Sequence, residues 1–161
     1  MTDTIQRMRI EPELILTNLV VKDRWEAIDR LSELMLKKGY VTEAFPAKTK
    51  EREEGFPTAL PTKPYPVAIP HTWAEFCIEP ALALGILAEP IPWIEMGTKD
   101  RWQEVRIVLL LSITQPEAQV QFLQKVIDFF IKEENQEKLI ANQGVESIRL
   151  ALHEGLNLEQ A

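Results

Sequence analysis

The sequence predicts a single-domain layered α/β fold with a mixed, mostly buried β-sheet flanked by helices on both faces. Three observations carry this. Residues 81–88 and 105–113 are near-continuous apolar runs, the pattern of strands covered on both sides. Apolar residues recur at helical spacing before them (Trp25, Ile28, Leu31, Leu34, Met35) and after them (Val120, Leu123, Val126, Ile127, Phe130). The 161 residues are enough for one sizeable core, and no repeat or linker divides them, so one domain spans 1–161 with its core at about 11–153.

Taken in order, residues 13–21 read as a first strand. Asp23 is an N-cap with Glu26 placed to return a bond, and Gly39 closes the helix that follows. A second helix runs over 43–54, with Pro46 in its first turn and Gly55 at its end. Five prolines between Pro57 and Pro70 predict a semi-rigid extended loop, excluding a helix or a central strand. Residues 91–94, with Pro90 and Pro92, suggest a short edge strand beside a turn at Gly97. Pro116 opens a third helix, and 135–141 and 145–152 form short terminal helices on either side of Gly144.

A net charge of −7 argues against nucleic acid as a partner. It fits either approach to a basic protein or simple solubility. No apolar stretch is long enough to cross a bilayer, and residues 1–11 lack the apolar centre of a secretion signal. One cysteine excludes an internal disulfide and fits a reducing compartment. The expectation is a cytoplasmic protein.

Metal and cofactor chemistry find little support. His71, His153 and Cys77 show no ligand spacing of the zinc type, and no glycine-rich phosphate loop is present. Cys77 reads as a small buried thiol and His153 as a surface residue. The stretch Val67-Ala68-Ile69-Pro70-His71 stands out. An apolar strand end supports it, and Pro70 stops the ladder and sets His71 at the sheet rim. Held there, a neutral imidazole suits nucleophilic or proton-transfer work. Three polar residues are candidates to assist it. Arg52 is either a fork for phosphate oxygens or one charge in the solvated run 48–54. Thr58 either donates its hydroxyl or caps the turn after Pro57, and Gln119 either orients the site or lies on a helix surface. Trp73 and Phe76 are candidate anchors for a protein partner, with core packing the alternative, more so for Phe76.

The series Arg52-Glu53-Glu54-Gly55-Phe56-Pro57-Thr58, Val67 to His71, Pro90-Ile91-Pro92-Trp93, Val105 to Leu111 and Pro116 to Leu123 resembles the enzyme IIA domains of the bacterial phosphoenolpyruvate-dependent sugar phosphotransferase system, fructose–mannitol superfamily. The resemblance covers residues from about Leu14 to Leu152. It implies a cytoplasmic phosphoryl carrier with no cofactor. The carrier's histidine takes a phosphoryl group from the phosphocarrier protein HPr and passes it to enzyme IIB, which serves the membrane component IIC. His71 is then the phosphorylated residue, with Arg52 and Thr58 in the segment lining the site. Gln119 stands where many members of the family have a second histidine, and residues 59–66 are proline-rich where many have glycines. The Phe-Pro-Thr lead and this glutamine are similar to the galactitol-type branch, so a galactitol-like polyol is the first expectation. A regulatory enzyme IIA-like protein that moves no sugar is the alternative, and a binding module that has lost transfer is the next.

Overall fold

The computed structural model of the chain describes residues 7–141 and 144–158. A short 3-10 turn at Pro12–Leu14 leads into β1 (Ile15–Leu19) and α1 (Arg24–Lys37), followed by α2 (Phe45–Gly55), β2 (Ala59–Leu60) and β3 (Val67–Ala68). After a 3-10 turn at Ala74–Phe76 come the two long strands, β4 (Ala81–Ile94) and β5 (Trp102–Ser112). The chain closes with α3 (Pro116–Ile131), α4 (Glu133–Ile140) and α5 (Val145–Gly155). Part of the opening polar lead, residues 1–6, lies outside the described residues; Met8 and Ile10 beyond it are buried and extend the core past its expected limit.

The strands form one mixed sheet in the order β1-β4-β5-β3-β2, with β1/β4 and β3/β5 parallel and the other pairs antiparallel. Alternation along the long strands divides the core in two. Leu82, Leu84, Ile86, Ile107, Leu109 and Leu111 pack with Phe122, Val126, Phe130, Leu139, Ile148 and Leu152, under α3, α4 and α5. Ala81, Ala83, Leu87, Trp93, Val108 and Leu110 pack with Ile28, Leu31, Met35 and Phe45, under α1 and α2. Both apolar runs are therefore strands covered on two faces, and the layered α/β expectation holds. On the α1 side the first half of β4 carries the small residues Ala81, Ala83 and Gly85, where the packing is close: a Cβ built on Gly85 would sit 3.1 Å from Leu19 and 3.4 Å from Leu31.

Local signals held at α1. The Asp23 side chain accepts from Glu26 N–H, while Glu26 accepts from the Lys22 N–H at 2.7 Å, one residue ahead of the expected partner. Gly39 takes a φ of 72° and ends the helix, its N–H donating to the Leu36 carbonyl while Tyr40 N–H donates to that of Met35.

Three expectations need correction. The proline-rich loop contains β2 and β3, and β3 lies between β5 and β2 inside the sheet. The prolines flank these two-residue strands, so no ladder donor is lost. Residues 91–94 are not a separate edge strand but the second half of β4, in register with β5 after a shift between Ile86 and Ile91. Pro90 and Pro92 are tolerated there because the pairing of β1 with β4 ends at Leu19 and Leu87, leaving that side of β4 without a strand neighbour among the described residues. On α3 the buried stripe is Ala118, Phe122, Val126, Phe129 and Phe130, and Val120 is 75% exposed. Among the described residues no helix is long and apolar enough to cross a membrane.

Candidate functional site

His71 lies just past the end of β3, and three elements hold the backbone around it. Ile69 N–H donates to the carbonyl and hydroxyl oxygens of Thr58, at 3.3 and 3.2 Å. Leu111 N–H, near the end of β5, donates to the Pro70 carbonyl at 3.1 Å, and the Gln119 side-chain amide of α3 donates to the Thr72 carbonyl at 2.9 Å. Between these ties the ring makes one bond, from Nδ1 to the Ile69 carbonyl at 2.9 Å. A carbonyl only accepts, so in the neutral ring Nδ1 carries the proton and Nε2 keeps its lone pair. Nε2 has no hydrogen-bond partner among the described residues, and it is not one of the fully covered unpartnered atoms.

The residue is only 6% exposed. Burial pulls the imidazole below its ordinary value, and the nearby Arg52 guanidinium adds to this against the opposing effect of the Ile69 carbonyl. The ring is thus neutral at pH 7, as a nitrogen nucleophile requires. Arg52, in the last turn of α2, spreads its guanidinium between the rings of Phe56 and Trp73, at 4.9 and 5.4 Å from their centroids. Its Nε and the neighbouring Thr72 Oγ1 are fully covered, and neither has a partner among the described residues.

The five companions proposed for His71 are only partly brought to it. Arg52 and Trp73 are beside it, and Trp73 is 38% exposed. Gln119 acts on the backbone at Thr72 and not on the ring, because its amide reaches the carbonyl from the first turns of α3. Thr58 is buried, and its hydroxyl is committed: it donates to Glu53 Oε1 at 2.8 Å and accepts from Ile69 N–H. It supports the His71 segment and is not free to donate to a bound group. Phe76 is half-buried, packed edge-to-face on Trp73 and against the core under α1. Of the residues set aside, Cys77 is half-buried rather than buried, with burial raising its thiol. His153, expected on the surface, is only 4% exposed, because α5 turns it inward.

Three residues near His71 escaped the sequence reading. Phe56, 64% exposed, extends the apolar surface beyond Trp73. Thr72 is masked by its more conspicuous neighbour. Glu53 looks like one charge in a solvated run, yet it is buried and accepts from Thr58 N–H, Thr58 Oγ1–H and Trp93 Nε1–H at 2.7 to 2.8 Å. A signal for it existed: Phe45, Thr49 and Glu53 fall at i, i+4 and i+8, and they are the buried stripe of α2.

No group of three or more His, Cys, Asp or Glu side chains among the described residues is placed to hold a metal ion. A groove of about 700 Å³ between α4 and α5, lined by residues such as Glu137, Lys138, Leu150 and Glu154, lies apart from His71.

Known proteins resemble the chain in sequence and in fold. The PTS system galactitol-specific EIIA component of Escherichia coli (strain K12) is 28% identical over 114 residues, 67% of this chain and 75% of that protein. The transcriptional regulator ManR of Bacillus subtilis (strain 168) is 29% identical over 102 residues, 63% of this chain; the match spans only 14% of the regulator's length. Among solved structures, IIA mannitol from Escherichia coli superposes with a TM-score of 0.74 at 20% identity, covering 90% of this chain and 99% of that one. The nitrogen regulatory protein IIA-Ntr of Neisseria meningitidis gives 0.70 at 19%, covering 88% and 94%. These structural likenesses establish the fold. At the level of sequence the family description "phosphoenolpyruvate-dependent sugar phosphotransferase system, EIIA 2" matches residues 8–154, nearly the whole chain, and the protein belongs to that family.

Proposed function

We propose that the protein is a phosphoryl carrier that accepts a phosphoryl group on His71 Nε2 from phosphorylated HPr and passes it to an enzyme IIB. The observation that carries this reading is the ring's single bond. With Nδ1–H fixed on the Ile69 carbonyl, Nε2 is left as the unprotonated nitrogen with no described partner. In the transfer its lone pair forms the new N–P bond while the donor's N–P bond breaks, and that electron pair returns to the donor imidazole. The acceptor ring then carries a phosphoryl group on Nε2 and a proton on Nδ1. Its developing positive charge is met by the carbonyl already in place. No base is needed. The phosphoryl oxygens would be met by the Arg52 guanidinium, whose charge already acts on the ring.

Docking would use the exposed rings of Phe56 and Trp73, with Val120 on α3 as a further apolar contact. A mannitol IIA in complex with phosphorylated IIB is among the structural relatives (TM-score 0.72, 20% identity, 93% of this chain and 98% of that one). It supports IIB as the acceptor class. The galactitol-specific relative supports a galactitol-like polyol as the cargo of the pathway, and Gln119 in place of a second histidine agrees with it. The second reading, a regulator whose phosphorylation state controls a partner, draws on the match to ManR. Acid-labile labelling by phosphorylated HPr followed by a chase into candidate IIB proteins separates the two. Transfer to IIB supports the carrier. A label held through the chase, with altered affinity for another protein, supports the regulator.

A further inference from the structure

We infer that Glu53 is a positioning residue for phosphoryl transfer: its buried carboxylate joins the end of α2, which carries Arg52, to the strand end that carries His71. This rests on the proposed transfer to His71. Glu53 Oε2 receives two donors, Thr58 N–H at 2.7 Å and Trp93 Nε1–H at 2.8 Å, and Oε1 receives the Thr58 hydroxyl at 2.8 Å. With its hydrogen pointed at Glu53, the Thr58 oxygen turns a lone pair to Ile69 N–H, and Ile69 in turn presents its carbonyl to His71 Nδ1. The chain of bonds runs one way, from the imidazole side to the carboxylate, so each group has only one productive orientation.

The carboxylate gains little stability from its charge. It is buried, no cation lies within salt-bridge distance among the described residues, and burial raises its proton affinity despite three donors. A helix and loop could be joined without such a group by an apolar contact. What the carboxylate alone supplies here is two acceptor atoms at fixed angles, facing the backbone and the hydroxyl of one residue and the indole of a central strand.

The test compares Glu53→Ala, Glu53→Gln and Thr58→Val with the wild-type chain, using phosphorylated HPr as donor. Leu139→Ala, in the core under α3 to α5, serves as a destabilised control remote from the site. The expected result for Glu53→Ala is a maximal transfer rate lower by about tenfold or more, with the half-saturating donor concentration moved by less than about threefold. The ¹⁵N signals of the His71 ring should lose the clear Nδ1–H, Nε2 pattern and average. In Glu53→Gln the carbonyl oxygen replaces Oε2 and the amide donates to Thr58 Oγ1, which still accepts from Ile69. That keeps one of the two acceptors and leaves the Thr58 hydroxyl hydrogen without its own, so the variant should fall between Glu53→Ala and wild type. Thr58→Val keeps the volume and cuts the middle link, and should behave like Glu53→Ala even if the latter does not fold. Leu139→Ala should keep the ring pattern. Wild-type rates and ring signals in folded Glu53→Ala or Thr58→Val overturn the inference, as does Glu53→Gln as slow as Glu53→Ala. His71→Ala runs alongside: if it still takes the label, the proposed function fails, whatever Glu53 does.

Discussion

The protein's two histidines differ little in burial and greatly in how they are held. His71 and His153 are both almost wholly covered, and burial lowers the proton affinity of each. The difference lies in the polar bonds. His71 donates from Nδ1 to Ile69, and the residues on either side of it are tied to Thr58, to β5 and to α3. His153 is on α5 with Arg149 and Glu146 nearby, and its covered Nδ1 has no partner among the described residues. Burial keeps a ring neutral; anchoring decides which nitrogen is free and where it points. Of the two rings, only His71 has its Nδ1 paired with a carbonyl.

The sharpest way to break this comparison is to remove each ring in turn. His71→Ala should abolish labelling by phosphorylated HPr, while His153→Leu should be labelled to the wild-type extent, read as acid-labile phosphate per chain. Next in size is Arg52→Ala. If the guanidinium meets the phosphoryl oxygens, transfer should slow by about 10- to 100-fold, the equivalent of about 1.4 to 2.7 kcal/mol in a rapid-quench time course. Lysine there should recover only part of the loss, because it has no fork and stacks poorly on Phe56 and Trp73. Gln119→Ala should cost less. It removes one bond to the Thr72 carbonyl, worth about 1 kcal/mol, so a several-fold slowing is expected in the same assay.

The smallest effect concerns pH. Both imidazoles bind protons more weakly in the folded chain than their ordinary value of about 6.5. The folded state therefore holds fewer protons than the unfolded one in that range. Stability from each ring is whole above about pH 6.5 and is lost as pH falls below it, by no more than about 1.4 kcal/mol per pH unit per ring. Glu53 has the opposite sign: its proton affinity is raised, so its contribution is present at acid pH and shrinks as pH rises through its elevated value. His153→Leu should flatten the acid side of the denaturation profile without changing the pH dependence of transfer. It also removes an unpaired buried nitrogen, so stability at neutral pH should hold or rise by about 1 kcal/mol, read from urea midpoints.

The same contrast explains what the sequence revealed. Layering was legible because the long strands write their double burial as unbroken apolar runs, and α1 announces both ends through Asp23 and Gly39. His71 stands out in the sequence because Pro70 follows an apolar strand; β3 itself ends at Ala68, and β5 still bonds the Pro70 carbonyl. The grip on His71 was not legible. Glu53 lies in a charged run, and its partners are 5 and 40 residues away, so only the folded chain shows the carboxylate turned inward. The same holds for His153: polar neighbours in sequence say little about which side of a short helix meets the core. Val120 misled in the other direction, since an apolar stripe on α3 can be drawn through it or through Phe122, and packing chose the latter.

The most direct measurement is the position of the phosphoryl group after labelling by phosphorylated HPr, read by ³¹P and ¹⁵N NMR. The expected result is a single phosphohistidine, bonded through Nε2 of His71 with Nδ1 still protonated. A phosphoryl group on Nδ1, on His153, or on no histidine would contradict it.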